Sequence, residues 1–271
     1  MVYTIAAKSI KEAQFKAVNF IINKGKYAKD QRNEKVKFVK NLLISIDADN
    51  CEISKDPLTA RCGLIFGENL ITGQNPKLEV EAVDSDVQDP EYSYGAEAHK
   101  NDMVEKIISL LKEHPETRRA VIPLFKPEHV GKTDIPCMIN VVFDVEDDFL
   151  NLTILGRSNE DVIAMQSDLK GFEIFLRWVA GRTGYDAGSI LLHVVNAHIR
   201  INSEADLIKK ILSDGYRMSG AQLGAQHNDA ASTPEGIILN PFSICRVCSK
   251  FEDCNCENDN VGECSWFSEG V

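Results

Sequence analysis

Residues 134–159 read DIPCMINVVFDVEDDFLNLTILGRSN. Two apolar, β-branched runs flank the acidic tripeptide 146–148, a pattern that predicts two strands joined as a hairpin. The second strand of a hairpin ends beside the start of the first strand. Cys137, before the first strand, and Arg157, after the second, are therefore expected to lie close together. Asp168 follows shortly afterwards. This spacing indicates that a thiol, a guanidinium group and a carboxylate converge on one site.

The rest of the chain alternates predicted helices and strands without internal repeats. Helices are predicted at residues 9–25, 101–113, 169–180 and 203–212, and strands at 120–125, 138–145, 149–155 and 189–201. Residues 39–47 are expected to form a short strand or the end of a helix. Residues 26–37 and 58–73 are expected to form loops, of which the second is punctuated by glycines and enters a strand. The alternation favours an α/β fold over an all-helical one.

The composition excludes several classes of protein. The chain has 271 residues, 44% of them hydrophobic, which is enough for the core of one substantial domain. Its net charge of −11 argues against nucleic acid or an anionic membrane as the main partner, although a few arginines can still form a local pocket for a small anion. The N-terminus lacks a signal-peptide pattern, and no apolar run is long enough to span a bilayer. We therefore expect a soluble, cytoplasmic protein.

The eight cysteines do not have the distribution of a disulfide scaffold. Three are scattered and five crowd the end of the chain, in the order Cys51, Cys62, Cys137, Cys245, Cys248, Cys254, Cys256 and Cys264. We expect a main domain over residues 1–240 and a cysteine-rich tail over residues 241–271. The pairs Cys245–Cys248 and Cys254–Cys256 have the thiolate density for zinc, or less readily for an iron–sulfur cluster. The alternative is an acidic tail whose thiols bind no metal.

Cys137 has two interpretations. A single cysteine after a proline is most often a small buried side chain. A nucleophilic thiolate instead needs positive charge close by, and Arg157 can supply it. The Arg118-Arg119 pair and Arg61 add further guanidinium groups. With the Ser158 hydroxyl they form the donor set that grips a phosphate dianion, although each arginine taken alone also fits a solvated turn.

The order of these pieces resembles the thymidylate synthase family. The matching pieces are, along the chain, Arg61 with Ile65-Phe66-Gly67, then Tyr94-Gly95, Arg118-Arg119, Pro136-Cys137, Arg157-Ser158 and Asn196-Ala197-His198. The match is strong through the middle of the chain and loose over residues 50–100. It implies a three-layer α/β fold with a mixed β-sheet flanked by helices, and a homodimer whose interface is formed by the sheet.

The resemblance also implies a reaction on a pyrimidine nucleoside monophosphate. Cys137 would add to carbon 6, and carbon 5 would then take the one-carbon unit of 5,10-methylenetetrahydrofolate as an exocyclic methylene. A synthase reduces this methylene with hydride from the folate, whereas a hydroxymethylase lets water add to it. Arg61, Arg157 and Ser158 would bind the phosphate. Arg118 and Arg119 would reach it from the partner subunit.

The family pattern has an asparagine where this chain has Asp168. Asparagine complements uracil, because its carbonyl accepts from the ring N–H and its amide donates to the 4-oxygen. Cytosine presents the reverse edge. An ionised aspartate suits its amino group, and a protonated or proton-sharing aspartate also serves its ring nitrogen. Cytidylate hydroxymethylases of the family carry aspartate here, so the resemblance implies that activity; the alternative is that Asp168 only caps the helix predicted at 169–180.

Other departures from the family pattern weaken synthase activity. Met138 follows the nucleophile where synthases have histidine, and Ala-Met-Gln-Ser at 164–167 replaces Gly-x-Pro-Phe. The family's Glu-Leu-x-Trp helix, whose glutamate organises water, has no clear counterpart. Glu79, Glu81 and Glu97 are the candidates to replace that glutamate. Without the tryptophan of that helix, water can reach the exocyclic methylene more easily, which favours hydration.

Contacts to the sugar and the folate are less specific in the sequence. His198 matches a family residue that bonds the 3′-hydroxyl. Arg200 replaces the expected tyrosine and is open to three partners: a ribose diol, a phosphate or a surface acid. Glu160 or Asp161 holds the family's acidic position, with a folate or a structural role. Further active-site candidates are Tyr94 and Asn159.

The leading hypothesis is folate-dependent hydroxymethylation of carbon 5 of a cytosine nucleotide through an adduct on Cys137, with deoxycytidylate favoured and cytidylate also open. One alternative is a thymidylate synthase that methylates deoxyuridylate. Another is a non-catalytic, nucleotide-binding member of the family. The retention of Cys137 beside the arginines opposes the last alternative, because binding alone does not need a thiol.

Overall fold

A computed structural model describes residues 2–31, 33–47, 57–74, 92–132, 135–160 and 164–223, with the backbone alone at 57–60 and 218–223. The strands are β1 (Tyr3–Ala7), β2 (Lys26–Lys29), β3 (Lys35–Asp47), β4 (Val121–Pro123), β5 (Met138–Glu146), β6 (Phe149–Gly156), β7 (Asn159–Glu160) and β8 (Asp186–Arg200). The α-helices are α1 (Ile10–Lys24), α2 (Pro57–Thr72), α3 (Tyr94–His99), α4 (Met103–Glu113), α5 (Ala164–Thr183) and α6 (Ala205–Leu223). Among these helices none is long and apolar enough to cross a membrane.

The strands form one mixed sheet in the order β1-β3-β8-β6-β5-β4, with β2 beside β3 and β7 beside β8. β1 pairs with β3 and β6 with β8 in parallel, whereas β2–β3, β4–β5 and β5–β6 are antiparallel. The predicted α/β class, with a mixed sheet flanked by helices, is therefore confirmed. A homodimer interface on the sheet stays a prediction.

The chain divides into two compact units. The first comprises Met1–Gln14 and Lys40–Ala197 and holds most of the sheet together with α2 to α5. The second comprises Phe15–Val39 and His198–Val271, in which β2 and the start of β3 form a hairpin. The predicted boundary at residue 240 lies outside the described residues and stays a prediction.

The two faces of the sheet differ in burial across four neighbouring strands. One row, which pairs in register from β4 to β8, is fully buried and consists of Ile122, Val141, Ile154 and Leu192. The adjacent row on the other face is only half-buried and consists of Val121, Val142, Thr153 and Leu191. Helix α5 packs on the buried face, where the Phe175 ring meets the Phe143 ring at 5.8 Å. Burial of this face supplies the main stabilisation of the unit.

The hairpin predicted around residues 146–148 is confirmed. Asp147 and Asp148 have φ of 49° and 65°, the left-handed pair that a two-residue type I′ turn requires. A register shift between Met138 and Asn140 places a bulge at the start of β5. Such bulges re-aim the neighbouring side chains, and this one directly follows Cys137.

The loop and strand predicted over residues 58–73 are wrong, because this segment is helix α2. Its glycines do not break the helix; they allow α2 to approach α5 closely. A Cβ on Gly67 would lie 2.8 Å from the Ile174 side chain, and one on Gly171 would lie 2.2 Å from the Phe66 ring. The loop predicted at 26–37 is also wrong in part, since β2 and the start of β3 lie there.

Helix α5 begins at Ala164 rather than at residue 169. Asp168 is therefore inside the helix, and the interpretation that it caps the helix N-terminus is wrong. The buried Gln166 side chain donates a hydrogen bond to Gln14 Oε1, so α1 holds the first turn of α5. This polar contact explains how the unusual sequence at 164–167 is accommodated.

Candidate active site

Cys137 lies immediately before β5, and its thiol is half-buried. The hairpin brings it to Arg157, as its sequence predicts. Arg157 Nη2 lies 3.6 Å from Cys137 Sγ, and its backbone N–H donates to the Cys137 carbonyl at 2.8 Å. A guanidinium group at this distance stabilises the charge of a thiolate.

Arg157 is held in place by backbone carbonyls. Its Nε donates to the Pro136 carbonyl and its Nη2 to the Ile135 carbonyl, each at 2.9 Å. Asn196 Nδ2 donates to the Arg157 carbonyl at 3.0 Å. The guanidinium group is therefore oriented before any ligand arrives.

The Tyr94 hydroxyl is the second contact of the nucleophile's backbone. It accepts hydrogen bonds from the N–H groups of Cys137 at 2.9 Å and Met138 at 3.1 Å. Burial raises the pKa of Tyr94 well above its usual value, and the charges of Tyr92, Asp168 and Cys137 add to the rise. Tyr94 is therefore a neutral phenol near pH 7. The same electrostatic contacts show that it lies near both Cys137 and Asp168.

Asp168 projects from the second turn of α5. Burial raises the pKa of Asp168 to about 7, and the neighbouring Glu160 carboxylate adds to the rise. The residue as a whole is only half-buried, yet its carboxyl group is surrounded by enough protein to disfavour the charge. Near neutral pH this carboxyl group is therefore present in both protonated and ionised forms.

The other residues predicted to bind phosphate differ in their exposure. Arg61, on α2, and Arg118 and Arg119, before β4, are all exposed. No ion-pair partner is found for any of the three within the described part of the chain. Ser158 is half-buried beside Arg157.

Asn159 and Glu97 each have a buried side-chain atom that forms no hydrogen bond with the described residues. Asn159 is 2% exposed, and its Nδ2 has no hydrogen-bond partner among them. Glu97 Oε2 is likewise buried and unpartnered within the described ranges, while Oε1 lies 3.6 Å from Nε2 of the buried His129. Of the three glutamates considered as replacements for the family's glutamate, Glu97 is the one that the structure describes; Glu79 and Glu81 lie outside the described residues.

The proposed sugar contacts belong to the second unit. His198 is half-buried near the end of β8. The Arg200 guanidinium forms ion pairs with Glu34 at 3.5 Å and with the buried Glu204 at 3.4 Å. Of the three partners considered for Arg200, the described residues therefore supply the acid. Its contact with a sugar stays a prediction.

The other predicted residues lie outside the described part of the chain. They are Asp161 and the four candidate zinc ligands, Cys245, Cys248, Cys254 and Cys256. Within the described ranges no group of His, Cys, Asp and Glu side chains could hold a metal ion. The zinc site in the tail therefore stays a prediction.

Sequence reasoning missed the aromatic cluster that surrounds Tyr94. The Tyr92 ring lies 5.2 Å from the Tyr94 ring and 6.0 Å from the His129 ring, and the Phe66 ring lies 5.5 Å from Tyr94. The available signal was the pair of tyrosines around Ser93, which caps α3 by accepting from the Ala96 N–H. Phe66 could not be assigned because α2 was taken as a loop.

The sequence of this chain is similar to a known family and to several known proteins. The thymidylate synthase family model matches residues 59–233. A protein of Methanococcoides burtonii named "Putative thymidylate synthase" is 33% identical over 215 residues, which cover 77% of this chain and 94% of that protein. A protein of the same name from Methanosarcina mazei is 29% identical over 215 residues with the same coverage. A thymidylate synthase of Streptococcus mutans is 32% identical over 115 residues, or 40% of this chain and 41% of that protein. The contact between Cys137 and Arg157 agrees with this similarity, and the family model covers more than half of the chain. The chain therefore belongs to the thymidylate synthase family.

Proposed function

We propose that the protein transfers a one-carbon unit to carbon 5 of a cytosine nucleotide and releases the hydroxymethyl product, with deoxycytidylate favoured over cytidylate. The observation that carries the proposal is Asp168, a carboxyl group whose pKa is raised to about 7 and whose charge acts on Tyr94, the residue that binds the Cys137 backbone. Membership of the family supports one-carbon transfer to a pyrimidine nucleotide. The choice of base and of product rests on the residues of this chain.

A protonated Asp168 matches cytosine at two points. Its O–H donates to the ring nitrogen, and its carbonyl accepts from the amino group. A protonated acid can also pair with uracil if the proton sits on its other oxygen. The difference is one of basicity: the cytosine ring nitrogen is a weak base that shares the proton, whereas the uracil 4-oxygen is far less basic. The cytosine pair is therefore favoured in a site where the proton is held loosely.

The described residues support a role for each step at the nucleotide. Cys137 adds to carbon 6 as a thiolate that Arg157 stabilises, and the addition makes carbon 5 nucleophilic. Carbon 5 loses its proton once the one-carbon unit is attached, and the bond from that unit to the folate nitrogen breaks. Tetrahydrofolate leaves, and the exocyclic methylene remains on carbon 5. Water then adds to the exocyclic methylene, and the Cys137–carbon 6 bond breaks to restore the aromatic ring. The nucleotide gains a CH₂OH group in place of hydrogen, and no reductant is consumed.

The donor set also fits 5,10-methylenetetrahydrofolate as the second substrate. Glu160 is half-buried near Asp168 and offers a carboxylate acceptor for the N–H groups of a pterin ring. The folate supplies the one-carbon unit at the oxidation level of formaldehyde. Hydration keeps that level, so the release of tetrahydrofolate balances the reaction.

Hydration is also supported by the surroundings of Tyr94. Phe66, Tyr92 and His129 form its aromatic cluster. The tryptophan within the described ranges, Trp178, stacks on Phe175 and lies under Arg182 instead. Among the described residues, no indole that would exclude water from the methylene belongs to this cluster.

Methylation of deoxyuridylate is the second candidate, because the relatives are named for thymidylate synthesis. A mass-spectrometric product assay separates the two. Purified protein and methylenetetrahydrofolate are incubated in parallel with deoxycytidylate, cytidylate and deoxyuridylate. A hydroxymethyl product from a cytosine nucleotide supports the proposal and identifies the sugar. A methyl product from deoxyuridylate contradicts it, and no product from any substrate supports the non-catalytic alternative.

We further propose that the protein acts as a homodimer through the half-buried face of its sheet. Val121, Val142 and Leu191 supply apolar side chains to this row, which also contains Thr153, and Leu155 and Val195 lie on the same face, all half-buried. An apolar face of this kind is typical of a subunit interface. Arg119 precedes Val121 by two residues and is exposed, so a guanidinium group stands next to this row. Its position supports a contact with the phosphate of the partner subunit.

Mixing two inactive variants should restore activity if Arg118 and Arg119 act across the interface. One parent is Cys137→Ala, and the other is the double variant Arg118→Ala/Arg119→Ala. Each mixed dimer then contains one complete site, so random reassortment restores about a quarter of the wild-type activity. Activity is measured after joint unfolding and refolding of equal amounts.

Arg157→Ala provides the matched control, because Arg157 and Cys137 belong to the same protomer. A mixture of Arg157→Ala with Cys137→Ala contains no complete site and should stay inactive. Equal recovery in the two mixtures, or no recovery in either, contradicts the assignment of the double arginine to the partner's site.

A further inference from the structure

The Tyr94 hydroxyl grips the backbone at Cys137 and Met138, yet its aromatic contacts do not by themselves fix its position. Phe66 and Tyr92 meet its ring edge-on at 5.5 Å and 5.2 Å. Edge-to-face contacts of this kind contribute only about 0.5–1.5 kcal/mol each. A hydroxyl that accepts two hydrogen bonds within 3.1 Å needs a tighter constraint.

That constraint is Asn69, on the last turns of α2. Its Oδ1 accepts from the Gly95 N–H at 2.8 Å, and its Nδ2 donates to Ser93 Oγ at 2.9 Å. Nδ2 also donates to the Gln74 carbonyl at 2.9 Å. One buried amide thus binds the residues on both sides of Tyr94 and ties them to the end of its own helix.

The backbones of α2 and α3 are in close contact at Asn69 and Gly95. A Cβ on Gly95 would lie 1.9 Å from the Asn69 carbonyl oxygen, so only glycine allows α3 to approach α2 this closely. Ser93 Oγ accepts from the Ala96 N–H at 3.3 Å and caps α3. The backbone of Tyr94 is therefore held from α2 through Asn69, while its hydroxyl binds the backbone at the start of β5.

We propose that Asn69 is a positioning residue for the Cys137 nucleophile, which it places through Tyr94 at the distance from Arg157 that favours the thiolate. The role of Cys137 as nucleophile rests on the proposed function. The contact itself does not, because the reactivity of the thiol can be measured without substrate. When Asn69 is lost, Tyr94 can shift and its hydrogen bonds to the N–H groups of Cys137 and Met138 weaken. The Arg157 hydrogen bonds still hold the backbone, but the thiol spends less time at the distance from the guanidinium group that favours the thiolate.

The test is the rate at which iodoacetamide alkylates Cys137, followed by peptide mass spectrometry between pH 6 and pH 10. In Asn69→Ala the rate at pH 7 should fall by about tenfold, and the rise of the rate with pH should move to higher pH by about one unit. At pH 10 the two proteins should react at similar rates. Tyr94→Phe, which removes the acceptor of both N–H groups, should show the same change. The exposed Cys62 is the internal reference for reagent activity.

Asn151→Ala is the matched control. Asn151 Oδ1 accepts from the Ser189 N–H at 2.8 Å and from the Ser189 hydroxyl at 3.0 Å. Like Asn69, its side chain binds a backbone N–H group, but this contact lies within the sheet. Its loss should lower the melting temperature without a change in the pH profile of Cys137. If Asn69→Ala does not fold, Asn69→Asp keeps the acceptor for the Gly95 N–H but cannot donate to Ser93 Oγ or to the Gln74 carbonyl. This variant should give a smaller shift of the same sign.

An unchanged Cys137 profile in the folded Asn69 variants overturns the inference. An equal shift in Asn151→Ala also overturns it, because the effect would then be general destabilisation. Absence of turnover in the wild-type protein affects only the proposed function and leaves the alkylation result valid.

Discussion

Cys137→Ala should lower product formation by about 10⁴-fold or more, because no other described group near the site can form the bond to carbon 6. The thiol is half-buried, with Arg157 at 3.6 Å and its backbone held by Tyr94. Alanine keeps this backbone and removes only the sulfur. Nucleotide binding should therefore persist, with a dissociation constant within a fewfold of wild type. The measurements are turnover by mass spectrometry and nucleotide binding by calorimetry.

The matched control is Cys62→Ala, the same change at an exposed cysteine of α2. This variant should keep wild-type turnover. The adduct can also be trapped with a 5-fluoro nucleotide, since fluorine at carbon 5 cannot leave as the proton does. Intact mass should then increase in wild type and in Cys62→Ala, but not in Cys137→Ala. Substantial turnover by Cys137→Ala would exclude the covalent mechanism.

Asp168→Asn should reverse the preference between cytosine and uracil nucleotides, with a change in the ratio of kcat/KM on the order of a hundredfold. Asparagine is nearly the same size as aspartate, so the site keeps its shape. It offers a fixed donor and acceptor in the arrangement that uracil requires, and it cannot share a proton with the cytosine ring nitrogen. The measurement is kcat/KM for deoxycytidylate and deoxyuridylate in both proteins. A ratio unchanged within threefold would contradict the assignment of base choice to Asp168.

The same variant tests the titration of Asp168. The pKa of about 7 belongs to the free protein, so kcat/KM for deoxycytidylate should fall above pH 7 as the proton is lost. In Asp168→Asn this fall should be absent. A decline that persists in the variant would have to come from another group.

Stability gives a separate measure of the buried carboxyl group. An unfolded aspartate releases its proton near pH 3.8, whereas folded Asp168 retains it to about pH 7. Between these values the folded state binds more protons, so the free energy of unfolding falls as the pH rises, by on the order of 1.4 kcal/mol per pH unit. Above pH 7 the penalty is constant. Asp168→Asn should lose this slope and be the more stable protein at pH 8, as measured by denaturant unfolding.

The sequence was most informative where local pattern and local structure agree. The acidic turn at Asp147-Asp148 and its two alternating flanks specify the hairpin, and the hairpin alone places Cys137 against Arg157. Half of the candidate site therefore follows from 26 consecutive residues, 134–159. Long-range contacts have no comparable signal.

The contacts that escaped sequence reasoning all depend on tertiary packing. Gly63 and Gly67 were interpreted as loop residues because isolated glycines weaken a helix, but here they admit α5, and a Cβ on Gly63 would lie 2.8 Å from Lys170. The role of Asp168 as a cap failed for a similar reason: the helix begins earlier because Gln166 is satisfied by Gln14, which lies far away in the sequence. Asn69 carries no motif, and its function is apparent only when α2 and α3 are in place.

The placement of the site on separate elements has an evolutionary consequence. The hairpin from β5 to β6 carries the groups proposed for bond formation, while helix α5 carries the side chain proposed to read the base. A single codon change at position 168 can therefore alter the nucleobase without altering the hairpin. Descendants of one ancestral enzyme can diverge in substrate while their covalent chemistry is inherited intact.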